Sequence, residues 1–415
     1  MMFQASRHWI LSLAVAAVAA TGSLPVRARA QMMMQGSGPG GVVRIFNTDM
    51  AILEAREARQ DLPCVAVPLR SVLGFDMRFH SGFEVTVPLR ELAGSDNLLS
   101  MVFRVVPKNH PEAVAYFVHR VKVPAIQPDA KGDASLFGHF DVGEGGYQVD
   151  WLMRDRAERV CSSFWDIEAQ LPARDKDVVM NLAAGRIEES DREQFKDEPL
   201  VERSHSEPPL HVKVLVNFAP QNSSSFALQP VDTNALTAIL RSIAREPRIL
   251  TFTVVAFSMQ QQRVIYRQDN VESIDFPSLG DAVNSLRLGT VDLRRLGEKN
   301  SDMAFLMNLI SQELAPKEHP DAVIFAGPKV MLDQSIPPEM LKQVGEIEYP
   351  VFYMNYNFNP QANPWRDAIG NAVKFLKGSE YTISRPRDLF YAWKEIVSKA
   401  VSMKLARRVG TSTSP

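Results

Sequence analysis

Serines, histidines, two cysteines and a glycine cluster are the residues of this chain whose types could do chemistry, and their spacing decides how far each reading goes. Ser223, Ser224 and Ser225 form a run of hydroxyls. A serine nucleophile needs a base within hydrogen-bond reach, and no partner base can be named for them. The same run reads as a polar loop closing a strand. GSGPGG, starting at Gly36, matches the G-x-G-x-x-G pattern of dinucleotide sites. That chemistry needs the glycines between a strand and a helix, where backbone amides meet a pyrophosphate, whereas here they precede any strand. No P-loop, H-E-x-x-H or G-x-S-x-G pattern occurs, and the eight histidines are scattered. His205 and His211 flank the start of one strand, as solvated or capping groups. Cys64 and Cys161 are the only cysteines and make no zinc pattern. In an oxidising compartment they form either one disulfide or two separate buried thiols, and both arrangements are open. A bond would close a loop of nearly a hundred residues, worth ~4–5 kcal/mol in principle.

The elements that would position such groups are legible from punctuation and period. HVKVLVNFA, residues 211–219, carries Val212, Val214, Leu215, Val216 and Phe218 between Pro209 and Pro220. So short an apolar run, bounded by prolines and polar residues, predicts a buried strand. Downstream the pattern alternates: a helix over 233–246, strands over 249–258 and 263–266, and a helix starting near Ser278. A helix over 301–314, with Met303, Leu306, Met307 and Ile310 on one face, leads to a strand over 322–325. A strand over 350–356, a helix over 365–376, a short strand over 380–384 and a helix over 387–404 complete the series. Strands alternating with helices predict a mainly parallel sheet covered on both faces.

On this order, residues 205–404 resemble the von Willebrand factor A-like domain, and most of the chain resembles the secreted VWFA-related bacterial proteins of acidobacterial type. The resemblance implies a Rossmann-like α/β domain. In that family a D-x-S-x-S motif ends the first strand, a later loop supplies a threonine, and an aspartate follows the fourth strand; together they hold a divalent cation. Here the motif positions fall on Asn217, Ala219 and Gln221, the threonine on Thr290 in LGTVDL, and the fourth strand, VIFAGPKV, has no carboxylate between Asp321 and Asp333. Magnesium and calcium take hard oxygen ligands, chiefly carboxylates. Neutral donors at these positions therefore imply a degenerate metal-dependent adhesion site and no cofactor. Thr290 also reads as a loop residue or helix cap.

Before residue 205 the grammar changes. The tail QMMMQGSGPGG leads to a helix over 49–60. SGFEVTVPLREL alternates Phe83, Val85, Val87 and Leu89 with Glu84, Thr86, Pro88 and Arg90, the mark of a half-buried strand. LLSMVFRVVP and AVAYFVHRVKVP follow turn-rich segments, and GGYQVDWLMRD pairs with ERVCSSFWDIEAQ as a hairpin. Strands at this spacing, with no helices between them, predict an all-β sandwich. Tyr147 after Gly145 and Gly146, on a strand carrying Trp151, resembles the tyrosine corner of immunoglobulin-like domains, and the aromatics read as core. A charged stretch containing ESDREQFKDEP reads as a linker. The expected organisation is a signal peptide over 1–30, a tail and helix over 31–63 and an immunoglobulin-like β-sandwich over 64–171. A charged linker over 172–209, the A-like domain over 210–404 and a flexible tail over 405–415 follow.

The chain opens on an address. Arg7 and His8 precede the apolar run WILSLAVAAVAA, and the segment ends in Ala28-Arg29-Ala30, which predicts cleavage between Ala30 and Gln31 and a secreted or periplasmic protein. The apolar run is shorter than the ~20 residues a membrane helix needs, and no later segment looks transmembrane. Cleavage removes Arg7, Arg27 and Arg29 and no acidic residue, taking the net charge from -2 to -5. Such a balance gives no electrostatic reason to expect nucleic acid. The reading is an exported, non-catalytic interaction or scaffold protein with an unknown protein or cell-surface partner. Its loops at 217–225, 289–292 and 327–329 would converge beyond the strand C-termini, where open α/β sheets place ligands. The alternative is an exported hydrolase-like enzyme using the same crevice, although Asp292 is the only carboxylate in those loops.

Overall fold

The computed structural model describes residues 32–34, 45–190, 193–204, 208–222, 225, 227–286, 300–314, 319–332 and 336–412. The expected signal segment, the Ala30–Gln31 junction, the GSGPGG cluster and Thr290 lie outside the described residues.

The first half contains β1 (Met32–Met34), α1 (Asn47–Ala55), β2 (Val65–Leu73), β3 (Phe79–Pro88), β4 (Asn97–Pro107) and β5 (Ala115–Val123). It continues with β6 (Asp133–Val142), β7 (Gly145–Arg154), β8 (Val160–Ala169) and β9 (Ile187–Glu189). They form a five-stranded sheet, β1-β5-β4-β7-β8, and a four-stranded sheet, β2-β3-β6-β9. All pairings are antiparallel. Because side chains alternate along a strand, Phe83, Val85 and Val87 of β3 point inward and meet Phe103, Phe117 and Trp151 of the other sheet. Phe103 and Phe117 stack with ring centroids 4.8 Å apart, and Phe83 meets Trp151 edge-on at 5.6 Å. The Tyr147 hydroxyl donates to the Gly143 carbonyl at 2.8 Å, the backward reach of a tyrosine corner, and burial pushes its pKa up to about 12. Cys64, just before β2, is disulfide-bonded to Cys161 of β8, so the bond joins the two sheets.

Three departures from the sequence-based expectations stand out here. The first helix ends at Ala55 rather than near Gln60, because Arg56 turns left-handed (φ 52°) and returns its N–H to Ile52. The chain beyond it runs along β8, with Ser162 donating to Arg59 and Leu62 to Val160. Strands β2 and β6 were not foreseen: Pro68 and Arg70 in one, and Gly138 with two aspartates in the other, mask the alternation. The stretch 172–209 is not a solvated linker throughout. Its β9 pairs with β6, Ile187 fills the sandwich core, and Val178 is buried in the core of the second half.

The second half runs β10 (Leu210–Asn217), α2 (Pro230–Ala244), β11 (Ile249–Ser258), β12 (Arg263–Val271), α3 (Phe276–Asn284), α4 (Ser301–Glu313) and β13 (Ala322–Pro328). It ends with α5 (Pro338–Lys342), β14 (Val351–Tyr356), α6 (Ala368–Phe375), β15 (Ser379–Ile383) and α7 (Pro386–Ser412). The sheet order is β12-β11-β10-β13-β14-β15, parallel except that β12 runs antiparallel to β11. Val212, Val214 and Val216 pack under α2, α3 and α7, whereas Leu215 faces α4, α5 and α6. One strand thus serves two cores, which is why its sequence reads as a continuous apolar run. Helix α7 continues past Lys404 because Lys404 and Arg407 both reach Asp321, at 2.6 and 3.5 Å. The expected tail is therefore helical to Ser412. No helix among the described residues is long and apolar enough to cross a membrane.

The two halves touch through the turn between β2 and β3. Met77 from this turn is buried in the core of the second half, Phe75 lies 5.9 Å from Phe358, and Arg387 of α7 bonds Asp175 at 3.0 Å.

Candidate functional site

The strand order reverses between β10 and β13, the topological switch point at which open α/β sheets place their crevice. A cavity of about 650 Å³ opens close by, at the carboxyl ends of β10 and β14. Asn217 ends β10 with its side chain fully buried, and its Oδ1 accepts the Met259 N–H at 3.1 Å. Gly327 of β13 packs directly on it; a Cβ there would lie 2.8 Å from the Asn217 Cβ, so only glycine fits without movement. Ala219 offers no side-chain donor, and its carbonyl accepts the Tyr356 hydroxyl at 2.9 Å. Gln221 donates through Nε2 to Asn357 Oδ1 at 3.1 Å. Two of the three expected loops, at 217–225 and 327–329, thus adjoin the crevice through their described residues; 223, 224 and 289–292 lie outside the described residues.

Two contributors were not foreseen. Asp232, in the first turn of α2, is buried and accepts the N–H groups of Gln221 (3.3 Å) and Gln229 (3.1 Å) and the Tyr356 hydroxyl (3.4 Å). Burial, with the Asp232 charge beside it, holds the Tyr356 phenol far above its ordinary pKa. The second contributor is the loop after β14, written NYNFNPQAN, whose asparagines mark it as a turn in the sequence but not as a wall of this cavity. Asn357 Nδ2 donates to the Asn363 carbonyl at 3.2 Å, and Lys329 Nζ donates to the carbonyls of Asn363 (2.8 Å) and Trp365 (2.6 Å).

These residues do not fit a divalent cation. Asn217 Oδ1 is committed to a backbone amide, Ala219 has no side-chain ligand atom, and Asp232, the one carboxylate among the described residues lining the cavity, already accepts from three groups. A hard cation would have to take those oxygens from the fold itself.

A second cluster lies between the halves, where ligand atoms of Asp76, His80 and Asp141 fall within 4.8 Å of one another. His80 Nδ1 meets Asp141 at 2.8 Å and Nε2 meets Asp76 at 3.1 Å. Burial alone would lower its pKa, but the two carboxylates more than offset this and push it up to about 10. Engaged on both ring nitrogens by carboxylates from the turn and from β6, His80 acts as a clasp holding the β2–β3 turn. A histidine whose folded pKa exceeds its unfolded value of about 6.5 stabilises fully below that value and loses its contribution as pH rises through the folded pKa. The urea midpoint is therefore expected to fall between pH 7 and pH 10.5 by more in the natural chain than in His80→Gln. Equal falls in both proteins would remove the clasp from the account.

No family model matches the chain, and no curated protein does. Among solved structures it is similar to VWA2, the ArnB paralog from Sulfolobus acidocaldarius, at 11% identity and TM-score 0.26, over 60% of this chain and 49% of that one. It is also similar to a glycosyl hydrolase family 2 member from Bacteroides cellulosilyticus, at 11% identity and TM-score 0.18, over 78% of this chain and 39% of that one. The minor pilin PilB from Streptococcus sanguinis is similar at 6% identity and TM-score 0.24, over 76% and 89%. The chain spans about half the length of the first and about two fifths of the second. Likenesses this distant carry no argument about activity.

Proposed function

We propose that this is an exported, non-catalytic interaction protein. In this reading a von Willebrand factor A-like domain stands beside an immunoglobulin-like sandwich and engages a protein or cell-surface partner through the crevice at the carboxyl edge of its sheet, without a metal. The observation that carries the reading is the buried Asn217 side chain, which spends its oxygen on Met259 where a metal-binding domain would present a carboxylate. The sheet order, with its switch point beside the cavity, supports the choice of crevice. The state of Asp232 weighs against hydrolysis, because a carboxylate accepting from two N–H groups and a phenol is occupied as a structural acceptor rather than poised as a base.

Two measurements test it. Calorimetric titration with magnesium or calcium is expected to show no micromolar binding; a micromolar site lost in Asn217→Ala would overturn the metal-free reading. Affinity capture from the exported fraction is expected to lose its specific partners when Gln221, Lys329 and Asn359 are replaced together by alanine. Identical partner sets would remove the crevice from the proposal.

A further inference from the structure

We propose that a single buried water is a built part of the second sheet, held between Asn217 and Asn355 and joining the ends of β10 and β14 across β13. Both side chains are fully buried. Asn217 lies two residues beyond Leu215, Gly327 two beyond Phe325 and Asn355 two beyond Tyr353, and Leu215, Phe325 and Tyr353 all pack in the core under α4, α5 and α6. By strand alternation the three later residues face that same layer. They also stand in one row, because Val216 pairs with Ala326 and Gly327 pairs with Asn355.

Each amide has one arm bonded and one arm without a partner among the described residues. Asn217 Oδ1 accepts the Met259 N–H at 3.1 Å, and its Nδ2 has no acceptor. Asn355 Nδ2 donates to Glu380 Oε1 at 2.8 Å, and its Oδ1 has no donor. Those bonds fix which way each amide is turned, since exchanging nitrogen and oxygen would set N–H against N–H at Met259 and oxygen against oxygen at Glu380. They also fix a direction. Met259 follows β11 and Glu380 belongs to β15, and these strands lie on the outer sides of β10 and β14. The two arms of an amide diverge, so a donor at Asn217 and an acceptor at Asn355 turn inward, toward the Gly327 between them. That row carries no side chain, and a Cβ at Gly327 would lie 2.8 Å from the Asn217 Cβ.

Two strand spacings separate the asparagines, about 9–10 Å between Cα atoms, and short side chains standing away from a sheet do not meet across that distance. A water between them accepts from Nδ2 and donates to Oδ1. A cation would face the N–H and an anion the amide oxygen, whereas a molecule that accepts and donates through one atom matches both. Buried polar atoms left unpaired are costly, and water is the usual remedy where a site supplies at least two polar partners. Strands β10 and β14 lead into Gln221 and Asn357 of the crevice wall, so the bridge sets the two walls against each other, whatever the crevice binds.

The test has two arms, both on the full chain. A crystal structure fine enough to show ordered solvent is expected to place one oxygen within about 3.2 Å of both Asn217 Nδ2 and Asn355 Oδ1. Urea denaturation of Asn217→Leu, Asn355→Leu and the double variant supplies the second arm. Residues this far apart with no shared partner multiply their effects on the unfolding constant. Here the double variant is expected to raise that constant by less than the product of the single effects, by about fivefold or more, because it leaves neither inward arm stranded. Multiplicative effects, a direct amide-to-amide bond, an ion with metal-like contacts of about 2.4 Å, or no solvent between the two side chains would each overturn the bridge. Should a single variant not fold, the crystal structure of the natural chain decides alone.

Discussion

Glu313→Ala is expected to lower the unfolding free energy by about 3–5 kcal/mol, the cost of leaving a buried charge without its partner. Lys213 stands in the middle of β10 with its side chain 5% exposed, and its ammonium donates to the Glu313 carboxylate at 3.3 Å and to the Glu313 carbonyl at 3.1 Å. The carboxylate also takes Arg267 at 2.6 Å, but Arg267 is 41% exposed and can turn to water. Lys213 is far less exposed, in a strand flanked by β11 and β13 with Glu313 of α4 over it. The damage should therefore be asymmetric. Glu313→Ala alone is severe, whereas Lys213→Met combined with Glu313→Leu should recover most of the loss, because apolar side chains of similar volume need no partner. Urea denaturation of the two variants and the natural chain decides it. A single variant within 1 kcal/mol of the natural chain would show that the lysine finds water or another acceptor.

The disulfide carries the next largest effect. Cys64 and Cys161 enclose a sequence separation of 97 and join the two sheets of the sandwich at one edge. Constraining so long a loop in the unfolded chain is worth ~4–5 kcal/mol in the chain-entropy picture, and removal from native proteins typically costs about 2–5 kcal/mol. The double replacement Cys64→Ala with Cys161→Ala is expected to lower the midpoint by an amount in that range, and reduction of the natural chain should do the same. If both leave the midpoint where it was, the sheets are held by Phe83, Phe103, Phe117 and Trp151 alone. Hydrogen exchange adds resolution, since β2 and β8 should lose protection before β4 and β7 do.

The same contrast between local and distant information runs through the whole molecule. Strand β11 lies where its apolar run predicted, over Ile249–Ser258, and the helix over 301–314 differs from α4 by a single residue at its end. Those elements are long, strongly patterned and bounded by turn residues, so neighbouring residues suffice to define them. β2 and β9 escaped the same reasoning because each owes its strand state to a partner: β2 pairs with β3, and β9 is three residues laid on β6. Nothing within three residues announces such pairing. His80 shows the limit for ionisable groups, since its type is visible but the approach of Asp141 from another strand is not.

By itself the sequence determined the alternation of strands and helices in the second half, the strand-rich character of the first, and the lack of carboxylates at Asn217, Ala219 and Gln221. Each of these depends on residue identity or on a period of a few residues, which any short window contains. Tertiary structure alone decided that Gln221 meets Asn357 across 136 positions, that Asp232 is taken up by the fold, and that Cys64 bonds Cys161. Those facts depend on which distant segments share a surface, and that is set by the packing of whole sheets, not by any local pattern.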